Sequence, residues 1–296
     1  MNKKGNLIIL VVVLLLIGLA GYFYFQSKNS PTKPQIYTET MMPSSKPQIT
    51  TETTMSSSIS WSCGEPVAFT YKGQVVTYGT VESQGRCWLD RNLGASRVAA
   101  DSMDKLAAGD LFQWGRGDDG HQDCNLAAGE YTTILSTSDN PGHDKCIMGN
   151  DDWRTPKNDN LWQGVNGINN PCPPGWRVPT KDEWEIEQLS WSSNNAEGAF
   201  NSPLKLPTTG VRVWGDQPLR NDSLGAYWSS TVPTGKKQEF DYSQLPYAYY
   251  LSFRNYSVFN QKDYPGMDIP EDARQNNASV GLGYRANGYA VRCIKD

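Results

Sequence analysis

The sequence contains two histidines, and each stands three residues before a cysteine: His121-Gln-Asp-Cys124 and His143-Asp-Lys-Cys146. Two imidazoles and two thiolates make a sufficient tetrahedral set for zinc. In an oxidising compartment the two sulfurs close on each other more readily, so a Cys124–Cys146 disulfide is the expectation and zinc the alternative. Acidic turns at Asp118-Asp119, Asp123 and Asn150-Asp151-Asp152 offer oxygen ligands of the kind calcium takes. Their spacing does not fit a twelve-residue EF-hand loop, and solvated turns have the same composition. The metal candidates are therefore His121, His143, Asp118, Asp119 and Asp151; no cofactor is the expectation, with calcium the alternative at the acidic turns. Arg116-Gly117-Asp118 spells an adhesion tripeptide, but a three-letter match arises by chance. The chain has no G-x-S-x-G elbow, H-E-x-x-H pair or G-x-x-x-x-G-K-[ST] loop. Two histidines beside expected disulfides leave few bases for a serine or cysteine nucleophile. Binding, not catalysis, is the expectation.

The densest passage, CPPGWRVPTKDEW from Cys172 to Trp184, positions a helix. Thr180-Lys-Asp-Glu183 has the form of a capping box, in which Thr180 and Glu183 each satisfy the other's backbone amide. Pro179 holds Val178 out of helical conformation, so the helix starts no earlier. Asp182 and Glu183 then sit at the positive end of its dipole. Trp184 and Trp191 share a face while Ile186 and Leu189 point elsewhere, which predicts a helix wedged between two layers. Glu183, Glu185 and Glu187 do not gather on one face, so no catalytic carboxylate pair is indicated.

The chain has 296 residues, and all ten tryptophans and six cysteines lie at or beyond Trp61. Residues 61–296 read as one globular head. A net charge of −4 with mixed signs argues against nucleic acid as a partner. Leu7 to Phe25 carries no charge and nearly covers a hydrocarbon core of ~30 Å. With Lys3 and Lys4 before it, residues 1–6 become a cytoplasmic tail, 7–25 a transmembrane anchor, and the head extracytoplasmic or at the cell surface. Gly18-Leu19-Ala20 would suit a signal-peptide cut, but the apolar run continues past it. A pilin leader would need a glutamate where Leu10 stands. Residues 27–60 contain the repeat KPQIYTETMMPSS–KPQITTETTMSSS, a Ser/Thr/Pro-rich composition that reads as a disordered stalk. Fully extended, it reaches on the order of 100 Å.

Six cysteines in an exported head imply three disulfides, among fifteen connectivities. Cys63 and Cys87 flank a hairpin-like unit, VAFTYKGQVVTYGTV, turning at Lys72-Gly73. Cys124 and Cys146 bracket a loop region. Cys172 and Cys293 each stand at the edge of a strongly patterned element. Those three pairs are the expectation.

Nine stretches, in order, carry a resemblance. They are Tyr78-Gly-Thr-Val81, Cys87-Trp-Leu-Asp-Arg-Asn-Leu-Gly94, Gly109-Asp-Leu-Phe-Gln-Trp114, Asp118-Asp-Gly-His-Gln122, Leu161-Trp-Gln-Gly164, Cys172 to Trp184, Leu206-Pro-Thr-Thr-Gly210, Tyr227-Trp-Ser-Ser230 and Gly288-Tyr-Ala-Val-Arg-Cys293. The head resembles the Fibrobacter succinogenes major paralogous domain family, in a longer variant. That family is similar to C-type lectin-like domains and, more distantly, to the formylglycine-generating enzyme fold. The resemblance implies an α+β, C-type lectin-like domain of mixed, mostly antiparallel sheets with few helices and many loops. It also implies a Cys172–Cys293 bond, whereas Cys124 and Cys146 lie outside the family pattern. Nothing matches the copper-binding cysteine pair of the formylglycine enzyme. The Glu-Pro-Asn and Gln-Pro-Asp tripeptides of calcium-dependent lectins are missing, Gln217-Pro-Leu219 being the nearest approach.

By the same resemblance, ligands meet irregular loops and adjoining strands between Trp214 and Arg285. The candidates there are Trp214, Asn221, Asp222, Tyr249, Arg254, Asn255, Tyr256, Asn276 and Asn277, aromatic and amide groups suited to glycan or protein surfaces. The same tyrosines would serve equally as strand residues facing a core. The expected function is a membrane-anchored binding or adhesion module. One alternative is the variable protein of a diversity-generating retroelement, because Asn276-Asn277 and the Gly281–Cys293 tail resemble the end of such a region. The other is a formylglycine-type enzyme or metal-binding protein.

Overall fold

Lys72 and Gly73 both take positive φ, 50° and 70°, as a two-residue type I′ turn requires. In this computed structural model they join strands β1 (Val67–Tyr71) and β2 (Gln74–Tyr78) in the register Tyr71↔Gln74. A second hairpin follows at once, β3 (Thr80–Ser83) and β4 (Arg86–Leu89), turning through Gln84 and Gly85 at φ 51° and 68°. The structure describes residues 61–213, 223–237, 240–255 and 276–296. The apolar segment 7–25, the stalk 27–60 and the candidates Trp214, Asn221, Asp222 and Tyr256 lie outside them. Among the described residues no helix is long and apolar enough to cross a membrane.

Short strands β5 (Phe112–Gln113), β6 (Tyr131–Thr132), β7 (Cys146–Ile147) and β8 (Trp176–Arg177) come next. Helices α1 (Lys181–Leu189) and α2 (Ala196–Asn201) follow. Then come β9 (Leu224–Trp228), β10 (Lys236–Lys237), β11 (Phe240–Asp241), β12 (Tyr247–Arg254), β13 (Ser279–Tyr284), β14 (Gly288–Tyr289) and β15 (Ile294–Lys295). Among the named strands, pairing is antiparallel except for β6 with β7. Two sheets organise the head: β3-β4-β15-β8, and β13-β12-β9. With few helices and many loops, this is an α+β fold.

The capping box forms. The Glu183 amide donates to Thr180 Oγ1 at 3.2 Å, and the Thr180 amide to Glu183 Oε2 at 2.8 Å. The same carboxylate takes both Nη groups of Arg177 at 2.8 Å, which ties the helix start to β8. The layering expectation for α1 is corrected. Trp184 and Glu187 are fully buried, but Ile186 is 53% and Leu189 83% exposed. One face of α1 is covered, and the other faces outward.

Two large apolar clusters, and a small one of Cys124, Cys146 and Met148, fill the interior of the described residues. Trp88, Trp184, Tyr227 and Phe253 form a chain of rings beneath α1, with centroids 5.0–5.8 Å apart. Trp114, Trp162, Trp176 and Trp228 belong to the larger cluster under the loops. Loop-rich folds leave many carbonyls outside sheet ladders, and the buried indoles answer them. Trp114 donates to Ser229 O (2.9 Å), Trp153 to Trp114 O (2.7 Å), Trp184 to Trp228 O (3.0 Å) and Trp228 to Phe112 O (2.7 Å). The disulfides are Cys63–Cys87, Cys124–Cys146 and Cys172–Cys293, with Cα separations of 5.7, 5.9 and 5.8 Å. This is the expected pairing.

Candidate ligand cleft

A cleft of about 470 Å³ opens between the turn leading into β5 and the loop that begins at Cys124. Asp110, Leu111, Asp123, Leu126, Val211 and Arg212 line it. The volume lies within the range of small-ligand sites. Each wall has a local reason. Gly109, at φ 74°, packs against Leu93 O so closely that an added Cβ would lie 2.5 Å from it. Asn125 caps the short turn Leu126–Ala128 by accepting from the Ala127 and Ala128 amides at 3.0 and 3.3 Å. The Cys124–Cys146 bond fastens that turn to β7.

The charges of the cleft are paired inside the protein. Asp110 accepts from Tyr71 Oη at 2.7 Å and lies 2.7 Å from Lys72 Nζ. Lys72 Nζ also meets Asp123 at 2.6 Å. Burial raises the Asp110 pKa above the usual carboxylate range, although Lys72 and Tyr71 pull it back. For Lys72, burial lowers the pKa, but Asp110 and Asp123 together outweigh it and the net shift is upward. Burial, then Asp110, pushes the Tyr71 hydroxyl up strongly. The Arg212 guanidinium donates to Leu111 O at 2.8 Å and Gln122 O at 2.9 Å, fixing the cleft wall.

His121 is buried beside this cleft. Its Nε2 accepts from the Gln113 amide at 2.9 Å, and its Nδ1 faces Asp119 Oδ1 at 2.5 Å. Burial pushes the imidazole pKa down to about 4 against the pull of Asp119, so the ring is neutral at pH 7 with its proton on Nδ1. Both ring nitrogens are thus occupied, and Cys124 and Cys146 are joined to each other. His143 Nδ1 accepts from the Lys145 amide at 3.2 Å. Asp118 accepts from the Lys72 amide and from Gln122 Nε2. Asp151 is exposed, and its carbonyl accepts from the Ala286 amide at 3.1 Å. Among the described residues no group of three or more His, Cys, Asp or Glu is placed to hold a metal ion. Arg116, first letter of the adhesion tripeptide, is fully buried, with Nε on Asp119 at 2.9 Å.

Of the described candidates, the fold gathers four at one sheet end and leaves one apart. The Arg254 amide donates to Asn277 Oδ1 at 2.7 Å. Asn276 pairs with Asn194, and the Asn277 amide donates to Asn194 O at 2.8 Å. The Asn255 amide donates to Ser223 O at 2.8 Å, and its side chain to Ser102 Oγ at 3.2 Å. The other four candidates lie in segments 214–222 and 256–275, outside the described residues. Tyr249 stands further along β12, with Lys181 Nζ 5.6 Å from its ring centroid. Sequence reasoning gave Lys72, Asp110 and Arg212 no place in a site: Lys72 was read as a hairpin turn residue, Asp110 lay in a quoted stretch without a role, and Arg212 was not singled out.

A separate buried carboxylate makes stability depend on pH. Asp152 Oδ2 accepts no hydrogen bond among the described residues and lies 3.9 Å from Arg285 Nη1. Burial raises its pKa to about 6, with Arg285 opposing. The folded pKa exceeds the unfolded one, so the associated stability is present below about pH 4 and lost as pH rises through about 6. The loss is about 3 kcal/mol for a shift of about two units. Asp152→Asn should flatten this decline, read as the difference between thermal melts at pH 4 and pH 7; the same difference in the variant would refute it. No protein-family model, curated protein or solved structure matches this chain.

Proposed function

We propose that this chain is an extracytoplasmic recognition protein whose disulfide-tied head is held to a membrane by residues 7–25 and spaced from it by residues 27–60. One observation carries the reading: all six cysteines are paired, so none is free. Three disulfides belong to an oxidising compartment outside the cytoplasm. Support for recognition comes from a cleft of ligand size whose ionic groups are engaged with one another. Amide groups clustered at the far sheet end offer a second polar surface.

Intact native cells provide the test. A membrane-impermeant protease is expected to remove the head, and alkylation without reduction is expected to leave all six cysteines unlabelled. Free thiols in the recovered head, or protection of the head until the cells are lysed, would overturn the proposal.

A further inference from the structure

We propose that the cleft between Gly109–Leu111 and the Cys124 loop binds a neutral, polyhydroxylated ligand, a saccharide unit, without a metal ion. This deepens the recognition reading and rests on it. The first argument is charge. Lys72 serves Asp110 and Asp123 together, and Arg212 is committed to the carbonyls of Leu111 and Gln122. An anionic ligand would have to draw Lys72 or Arg212 out of these pairs and leave their partners in a partly buried wall.

Hydroxyl groups need no such exchange. A carboxylate has about four acceptor positions, and one ammonium cannot fill them on two aspartates at once. Asp123, whose side chain is 54% exposed, therefore still accepts from donors at the cleft mouth. The second argument is surface type. Leu111, Leu126, Ala127 and Val211 supply aliphatic patches between these polar groups, a match for the alternating C–H and O–H faces of a sugar ring. No aromatic ring is among the described lining residues, so a flat heteroaromatic ligand would lack a stacking partner.

The purified full-length chain in detergent is applied to an array of neutral, sialylated and sulfated oligosaccharides and immobilised polyamines, with and without EDTA. Neutral oligosaccharides are expected to be retained equally in both conditions. Ala127 is exposed at the cleft mouth, so Ala127→Trp fills the site without entering the core. Asp123→Asn is the second variant, removing the charge and replacing one of the two acceptor oxygens by a donor at constant shape. Each should weaken binding about tenfold or more, the scale of a hydrogen bond to a charged group. Leu189→Ala, on the exposed face of α1 and away from the cleft, should leave it unchanged. Mass analysis confirming three disulfides establishes that each variant is folded.

Binding that survives both cleft variants, requires calcium or favours charged arms would overturn the saccharide cleft. So would the absence of neutral-sugar binding by the folded wild-type chain. The recognition reading fails separately, on free thiols or a cytoplasmic head in native cells.

Discussion

Replacing Cys172 and Cys293 together by serine is expected to destabilise the head by about 4–5 kcal/mol, the largest loss from any of its three bridges. The bond spans 121 residues of sequence, against 24 and 22 for the others. In the chain-entropy account the longer loop restricts the unfolded ensemble most, and loops of 20-odd residues give roughly 3 kcal/mol. Position adds to length. Cys172 opens the loop that enters β8 and α1, and Cys293 O accepts from the Leu89 amide at 3.0 Å, holding the end of β4 to the final segment. Domains of this kind are stable by about 5–15 kcal/mol, so the variant should be marginal. Denaturant titration of the unreduced variant beside a Cys63→Ser/Cys87→Ser variant checks the ranking. Equal midpoints would contradict it.

Arg292→Ala is expected to lose about 3–5 kcal/mol. Arg292 is 1% exposed, and its contacts are neutral: Nε donates to Asn92 Oδ1 at 2.9 Å, and Nη1 to Leu89 O and Leu204 O at 3.1 and 2.9 Å. Burial pushes its pKa down to about 10, which leaves it charged at pH 7, with Tyr227, Asp90 and Glu187 countering. Truncation takes a donor from three buried acceptors and opens a void between Leu89 and Leu204. Arg292→Met keeps most of the volume and removes the charge, so its smaller loss separates packing from unmet hydrogen bonding. Thermal melts of both variants at pH 7 decide; a wild-type melt for Arg292→Ala would refute the argument.

Local chemistry was readable in the sequence, and long-range geometry was not. Lys72-Gly73 and Thr180-Lys-Asp-Glu183 announce a turn and a helix start because the interactions involved lie within a few residues. Gln84-Gly85 forms the same kind of turn and was passed over, since glutamine rarely signals positive φ. The apolar Ile186 and Leu189 suggested a second covered face on α1, but the pattern of a helix records which residues are apolar, not which neighbour arrives. The cleft was hidden for a similar reason. Lys72, Asp110, Asp123 and Arg212 come from distant segments, and only the folded backbone brings them together. His121 and His143 looked alike beside their cysteines, yet one is buried with both nitrogens engaged and the other is half-buried in a bend between exposed Gly142 and Asp144.

Strand β15 lies between β4 and β8 in the order β3-β4-β15-β8, so two neighbours wait for the same late-arriving partner. Roughly 200 residues separate Leu89 from Ile294. At synthesis rates of about 5–20 residues per second, the edge of β4 stays open for on the order of 10–40 s. During that interval Trp88 and the unpaired edge are sticky to other chains. A nascent-chain escort, or a delivery route that keeps the polypeptide extended until Ile294 has emerged, would meet that hazard.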